Sequence, residues 1–111
     1  MSDFHDFLKR QFASVAIGSF QPGKFDEVRR LYEKAIATYQ GGFKRAYLLR
    51  EPGTDNGISV VLWESEEEME ASQNREYKVI LEEMAPLFSA PPTITTYELI
   101  CDMSPASKAS T

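Results

Sequence analysis

The middle of the chain changes its hydrophobic period. Apolar side chains alternate and β-branched residues dominate over residues 58–63, as expected for a β-strand. Ser65 and Glu68 then form a capping box, and apolar residues recur at helical spacing as far as Met84. This stretch is therefore predicted to be one strand that leads directly into one long helix.

The same patterns predict further elements on both sides. In the first strand, Ser14, Ala16 and Gly18 place small side chains on one face, which leaves room beside the strand. Gly41 and Gly42 are suited to end the first helix, because glycine accepts the left-handed conformation. Strands are predicted at residues 12–20, 43–50 and 93–101, a helix at 25–39, and a short amphipathic helix at 2–10.

The resulting order, β-α-β-β-α-β, predicts an α+β fold. Two helices of this length fit one face of a four-stranded antiparallel sheet, which is the ferredoxin-like arrangement. Turn signals within residues 51–57 indicate that the second and third strands form a hairpin. Residues 12–103 are predicted to form this single domain, with a helical extension at 1–11 and a flexible tail at 104–111.

The face of the sheet away from the helices is not polar. Apolar side chains fall on both parities of the strands, and a soluble monomer rarely exposes an apolar face of this size. The pattern therefore predicts a homodimer in which two such faces pack together to form a dimeric α/β barrel.

Alternation in the third strand decides which side chains face the helices. The set that begins at Ile58 is the more uniformly apolar, so it is assigned to the helices. Trp63, together with Ser59 and Val61, is then predicted to point into the cavity between the two sheets.

Composition excludes several classes of partner. The net charge is −5 and no basic stripe is present, so a nucleic-acid partner is not expected. No apolar run approaches the length of a membrane span, and the N-terminus lacks the pattern of a secretory signal. The single cysteine, Cys101, rules out an intramolecular disulfide. A cytoplasmic protein without a membrane partner is the expectation.

Candidate catalytic chemistry is sparse. The sequence contains no Cys-x-x-Cys, no His-Glu-x-x-His and no glycine-rich phosphate loop. The acidic run at 64–70 suits the positive end of a helix, so no metal site is predicted. Tyrosines usually supply core area, although one in a cavity can orient a phenol or exchange a proton. Tyr47 is the best candidate of the five tyrosines, since Arg45 shares its face as an anion partner.

Four short motifs, in their order and spacing, resemble one known family: Pro22-Gly23-Lys24 before the first helix, Gly41-Gly42-Phe43 at the second strand, Leu62-Trp63-Glu64-Ser65 closing the third, and Pro91-Pro92 before the fourth. Over about residues 12–101 the chain is similar to the antibiotic biosynthesis monooxygenase-like family of the dimeric α/β-barrel superfamily. Members are homodimers whose sheets enclose a cavity. Several oxidise aromatic polyketides or quinols without flavin or metal, and others degrade haem, catalyse cyclisation or have no known activity.

The resemblance implies particular site residues. In the polyketide-oxidising members a tryptophan ends the third strand, and Trp63 matches it. An asparagine four residues earlier would fall on Ser59, a tyrosine of the second helix near Met69, and a later arginine near Glu83. These three positions depart from the pattern.

Haem chemistry is not implied. The haem-degrading relatives use a helix histidine and a cavity asparagine, and the corresponding places here are Glu82 and Ala16.

The resulting hypothesis is a monooxygenase-like protein that needs no cofactor and takes a small aromatic ligand. The alternatives are a non-catalytic ligand-binding or structural dimer, and a cyclase or isomerase that uses a tyrosine or carboxylate as base. The candidate catalytic residues are Trp63 and Tyr47, and the candidate substrate-binding residues are Ser59, Val61, Arg45 and Met69.

Overall fold

The computed structural model describes residues 10–105. The predicted helix at 2–10 lies outside the described residues except for its last position, and so does the tail from residue 106. The elements are β1 (Phe12–Ser19), α1 (Phe25–Ile36), β2 (Phe43–Arg50), β3 (Asn56–Trp63), α2 (Glu66–Ala71), α3 (Arg75–Met84), a 3-10 turn (Ala85–Leu87) and β4 (Thr93–Glu98). The four strands form one antiparallel sheet in the order β2-β3-β1-β4, which confirms the predicted ferredoxin-like arrangement.

The helical layer packs on the sheet through one apolar stripe of α1 and a shorter one of α3. Val28 is fully buried at the centre of α1, and Ile80 and Met84 bring α3 against it. Helix α1 ends three residues earlier than predicted, because the Thr38 hydroxyl and amide both bond to the Ala35 carbonyl and tighten the last turn. The buried core comprises Phe20, Phe25, Val28, Leu31, Ala35, Ile80, Met84 and Leu87.

The single long helix predicted after Ser65 is wrong, because it is divided into α2 and α3. The Ser65 hydroxyl accepts from the Glu68 amide at 3.1 Å, which confirms the predicted start. Asn74 then caps a new helix by accepting from the Tyr77 amide at 2.8 Å, and its side-chain amide donates to the Thr38 carbonyl. Serine and asparagine side chains compete for backbone hydrogen bonds, so the sequence around Asn74 favours a restart over continuous helix.

The segment after α3 closes one end of the sheet. Leu87 is buried and Phe88 packs against the core, as predicted. The Leu87 carbonyl accepts from the Gln21 amide at 2.7 Å, and the Ser89 amide donates to the Ser19 carbonyl at 2.9 Å. These bonds attach the chain beyond α3 to the end of β1.

Strand β4 ends at Glu98, three residues before the predicted end at Cys101. Its partner β1 begins at Phe12, which lies opposite Glu98. Beyond this pair the Leu99 amide donates one further bond to the Gln11 carbonyl at 2.8 Å. The hairpin between β2 and β3 forms as predicted, with Gly53 at a positive φ of 77° in the turn.

The face predicted for Trp63, Ser59 and Val61 is wrong. Ser59 bonds to Tyr32 of α1 and the Trp63 ring packs on Tyr39, so this set faces the helices. The uniformly apolar set of β3 occupies the opposite face. Uniform apolarity does not identify the helix side here, because both faces of the sheet carry apolar side chains.

We expect the two helix caps to differ in strength. Ser65→Ala removes one cap and should lower the free energy of unfolding by about 1 kcal/mol. Asn74→Ala removes a cap and also the bond to the Thr38 carbonyl, so it should cost about 2 kcal/mol. Urea denaturation of both variants measures this, and equal losses would mean that the contact between Asn74 and Thr38 contributes nothing.

Candidate functional site

Two aromatic clusters stand at opposite ends of the interface between sheet and helices. At one end the rings of Phe20, Phe25 and Phe88 are in contact, with Phe20 at centroid distances of 5.3 Å from Phe25 and 4.6 Å from Phe88. An added Cβ at Gly57 would lie 3.1 Å from both Phe20 and Phe25, so any larger residue there would require these rings to shift. We call this group the phenylalanine cluster.

At the other end, Tyr39 is surrounded by three rings. The centroid distances are 4.7 Å to Trp63, 5.3 Å to Tyr77 and 5.6 Å to Phe43. These distances are typical of favourable aromatic pairs. We call this group the tyrosine–tryptophan cluster. Along β3 it lies roughly 20 Å from the phenylalanine cluster at about 3.3 Å per residue.

Between the clusters the sheet presents small side chains, and a cavity of about 570 Å³ lies there. That volume is within the usual range of small-molecule sites. Gly18 is part of the floor, where an added Cβ would lie only 3.0 Å from the Phe88 ring. The prediction that the small-residue face of β1 leaves room beside the strand is confirmed. The floor is formed by Ser14, Ala16, Gly18, Gly57, Ser59 and Val61, and the helical wall includes Val28, Tyr32, Ala35, Ile36, Tyr39, Tyr77, Leu81 and Met84.

A hydrogen-bonded chain forms one polar part of the cavity wall. The Ser59 hydroxyl donates to the Tyr32 hydroxyl at 2.9 Å, and the Tyr32 hydroxyl donates to the Tyr47 carbonyl at 3.0 Å. Burial raises the pKa of Tyr32, partly offset by the hydrogen bond from Ser59. Tyr32 therefore holds its proton at neutral pH.

Tyr39 is still less able to give up its proton. Burial raises the pKa of its hydroxyl strongly, and Tyr77 raises it further through its charge and a hydrogen bond. A general base needs a pKa near the working pH, so Tyr39 cannot act as one. Tyr32 and Tyr39 therefore supply ring surface and neutral hydroxyls to the cavity.

Trp63 lies directly behind this wall. It is 1% exposed and contacts the cavity-lining Tyr39, but it does not itself line the cavity. Its indole Nε1 is the one buried side-chain nitrogen or oxygen atom within residues 10–105 without a hydrogen-bond partner. A buried donor of this kind is costly to leave unpaired.

The structure brings together only part of the predicted site. Ser59 and Val61 line the cavity, although on the helix side of the sheet. Tyr47 and Arg45 pair with Val60 and Leu62 on the opposite face, where both are exposed.

Met69 is half-buried on α2 and is not among the cavity-lining residues. Tyr47 contributes its backbone carbonyl, which accepts from Tyr32, while its side chain lies outside the cavity.

Sequence reasoning missed the tyrosines of the helices as site residues. Tyr32, Tyr39 and Tyr77 line the cavity, together with Gln73 from the segment between α2 and α3. The signal was present, because Tyr32 and Tyr39 lie seven residues apart on the inward stripe of the helix predicted at 25–39. In the structure, Tyr39 follows the end of α1.

The cavity wall is uncharged as far as the structure describes it. None of its lining residues within 10–105 is Asp, Glu, Lys, Arg or His. Over the same range, no group of three or more His, Cys, Asp or Glu side chains is placed to hold a metal ion. No helix in the described part is long and apolar enough to cross a membrane.

The raised tyrosine pKa values predict a loss of stability in alkali. Above about pH 10 the unfolded chain releases tyrosine protons that the folded protein retains, so the free energy of unfolding should fall as pH rises. Tyr39→Phe should make this fall shallower. Urea denaturation as a function of pH measures the slope, and an unchanged slope for Tyr39→Phe would contradict the assignment.

Crystal structures of other proteins share this fold. A Caulobacter crescentus CB15 protein assigned to the antibiotic biosynthesis monooxygenases has a TM-score of 0.75 at 18% identity, covering 87% of this chain and 98% of that one. SnoaB, a cofactor-independent oxygenase from Streptomyces nogalater, has a TM-score of 0.69 at 16% identity, covering 88% and 99%. A conserved protein from Methanosarcina mazei Go1 has a TM-score of 0.72 at 16% identity, covering 80% and 92%.

At these identities the structural similarity shows the fold alone. No curated protein sequence matches the chain. The family model described as "Antibiotic biosynthesis monooxygenase" matches residues 12–79, which includes β1, α1, the hairpin and most of the segment that forms α2 and α3. The chain therefore belongs to the antibiotic biosynthesis monooxygenase family.

Proposed function

We propose that this protein is a cofactor-independent, monooxygenase-like enzyme that binds a small aromatic substrate between its sheet and its helices. The cavity of about 570 Å³ is the observation that carries the proposal. Its wall is predominantly apolar, carries three tyrosine rings, and has room over a floor of small residues. SnoaB, which shares this fold, is a cofactor-independent oxygenase, and this similarity supports the same reaction class.

The cavity residues would contribute by binding and by excluding water. Tyr32, Tyr39 and Tyr77 offer ring surface on which a planar substrate can stack. A substrate held in this apolar space reacts in a fixed orientation and away from bulk solvent. A weakly acidic substrate such as a quinol or an anthrone can give its proton to a water molecule that reaches the cavity, so the reaction needs no side-chain base. Its carbanion or enolate then supplies the electrons that reduce oxygen, and one oxygen atom enters the product while the other leaves as water. The side chains need only hold the substrate in place.

One alternative is supported by a particular observation. The described lining has no carboxylate or histidine, and burial raises the pKa of Tyr32 and of Tyr39, so these tyrosines are poor general bases. This favours a non-catalytic ligand-binding protein over the cyclase or isomerase alternative, which requires such a base. A binding protein would use the same cavity without consuming oxygen.

Blocking the cavity separates these functions. We expect the protein to consume oxygen with at least one member of a panel of anthrones and naphthohydroquinones. Ala16→Leu should lower that rate more than tenfold, because the added atoms project from the cavity floor. An oxygen electrode measures the rate, and Trp63 fluorescence reports binding in the same samples, because Tyr39 links the cavity to Trp63.

Ala37→Leu is the matched control, since Ala37 is exposed, lies at the end of α1 and does not line the cavity. It should retain the wild-type rate. Oxygen uptake that persists in Ala16→Leu would place the reaction outside the cavity. Saturable binding across the panel without oxygen uptake would support the non-catalytic alternative.

We further infer that two copies associate through the sheet face opposite the helices. Ile17, Ile58 and Leu49 are directly paired across three strands, and they are 51%, 36% and 51% exposed. Tyr47 and Tyr97 extend the same patch. A second copy is the occupant that this self-complementary apolar face fits, and it should bury at least ~1,000 Å².

A charge at the centre of this face should dissociate the dimer. Ile17→Lys is expected to give a monomer in sedimentation velocity at micromolar concentration, whereas the wild-type protein is a dimer. Val79→Lys places the same charge on α3, where Val79 is 50% exposed on the other side of the molecule, and should remain dimeric. A monomeric wild-type protein would contradict the interface.

A further inference from the structure

The hydrogen bonds at the polar part of the cavity run in one defined direction. The Tyr47 carbonyl can only accept a hydrogen bond, so the single proton of the Tyr32 hydroxyl is used there. Tyr32 can then only accept from Ser59, which uses the single proton of the Ser59 hydroxyl. What Ser59 can still offer to the cavity is therefore a lone pair.

The rest of the described wall provides no partner for an ion. Within residues 10–105 the lining contains no side chain with a formal charge, and burial raises the pKa of Tyr32 and of Tyr39, which keeps both neutral. An ionised ligand would lose its hydration in an apolar space without a compensating charge, which is expensive. A neutral ligand meets no such cost.

We propose that the cavity selects an uncharged aromatic ligand that donates a hydrogen bond to Ser59, and that Tyr32 is the positioning residue that fixes this polarity. This specificity rests on the proposed binding of aromatic compounds in the cavity. It predicts a hydroxyl group on the ligand at the Ser59 end. An ionised oxygen would face the lone pairs of Ser59 there, so any oxygen that ionises during the reaction must lie elsewhere in the cavity.

Three naphthalene derivatives test the proposal because their rings are identical. 2-Naphthol can donate to Ser59, 2-methoxynaphthalene cannot donate, and 2-naphthoate is ionised. The wild-type protein should bind 2-naphthol about tenfold more tightly than the methyl ether, as expected for one satisfied hydrogen bond. It should bind 2-naphthoate most weakly of the three. Isothermal titration calorimetry measures the three dissociation constants.

Tyr32→Phe should change the selectivity and not only the affinity. Loss of the Tyr32 hydroxyl frees the proton of Ser59, which can then donate to the ether oxygen, so the preference for 2-naphthol should fall to about twofold or less. Ser59→Ala should abolish the preference by a second route. Tyr77→Phe alters another cavity-lining tyrosine that lies outside this chain of hydroxyls, and should retain the wild-type preference.

Each remaining outcome is decisive. If Tyr32→Phe weakens both neutral ligands equally and keeps their ratio, Tyr32 is only structural and the inference is wrong. If the wild-type protein binds all three ligands equally, the proposed specificity fails while the proposed function stands. If it binds none of them, and also fails to consume oxygen with the panel, both proposals fall together.

Discussion

The separation of the helical layer from the sheet is the constraint on which the rest of this structure depends. The phenylalanine cluster and the tyrosine–tryptophan cluster fill that interface at its two ends with large rings. Between them the strands contribute mainly serine, alanine, glycine and valine, whose short side chains leave space beneath the helices. Closing the gap would require the rings at both ends to leave their packed positions. The cavity is thus a consequence of where large and small residues alternate along the strands.

The chemistry of the cavity follows from this arrangement. Burial between the sheet and the helices raises the pKa of the Tyr32 and Tyr39 hydroxyls, so both remain protonated at neutral pH. Because the floor belongs to the sheet, Ser59 can reach Tyr32, and Tyr32 can reach the carbonyl of Tyr47 on the edge strand β2. The described lining of the cavity is mainly apolar and carries no charge. Near Ser59 it is polar, and the hydrogen bonds there run in one direction, from Ser59 to Tyr32 to the Tyr47 carbonyl. A wall of this kind offers shape and desolvation to a ligand, and little acid–base chemistry of its own.

The chain belongs to the family although it lacks the family's asparagine, tyrosine and arginine at Ser59, Met69 and Glu83. Trp63 and Ser59 occupy the strand positions that the resemblance singles out, and both face the helices. Met69 and Glu83, the other two such positions, do not line the cavity. The tyrosines that do line it come from other places on the helices. Of the four positions that the resemblance implies, only Ser59 lines the cavity.

The sequence by itself determined the order and type of the strands and helices, the cap at Ser65, the hairpin and the small-residue face of β1. These follow from local periodicity, turn residues and capping, which act over a few neighbouring positions. Asn74 is a good helix cap, so the sequence also allowed a new helix to begin there. A continuous helix matched the spacing of the apolar residues equally well. The bond from Asn74 to the Thr38 carbonyl, beyond the end of α1, favours the new helix. The tertiary structure alone decided which face of β3 meets the helices. Alternation divides a strand into two faces but does not orient them, and here both faces are apolar, so the choice depended on how Tyr32, Tyr39 and Tyr77 fit over the smaller side chains of the sheet.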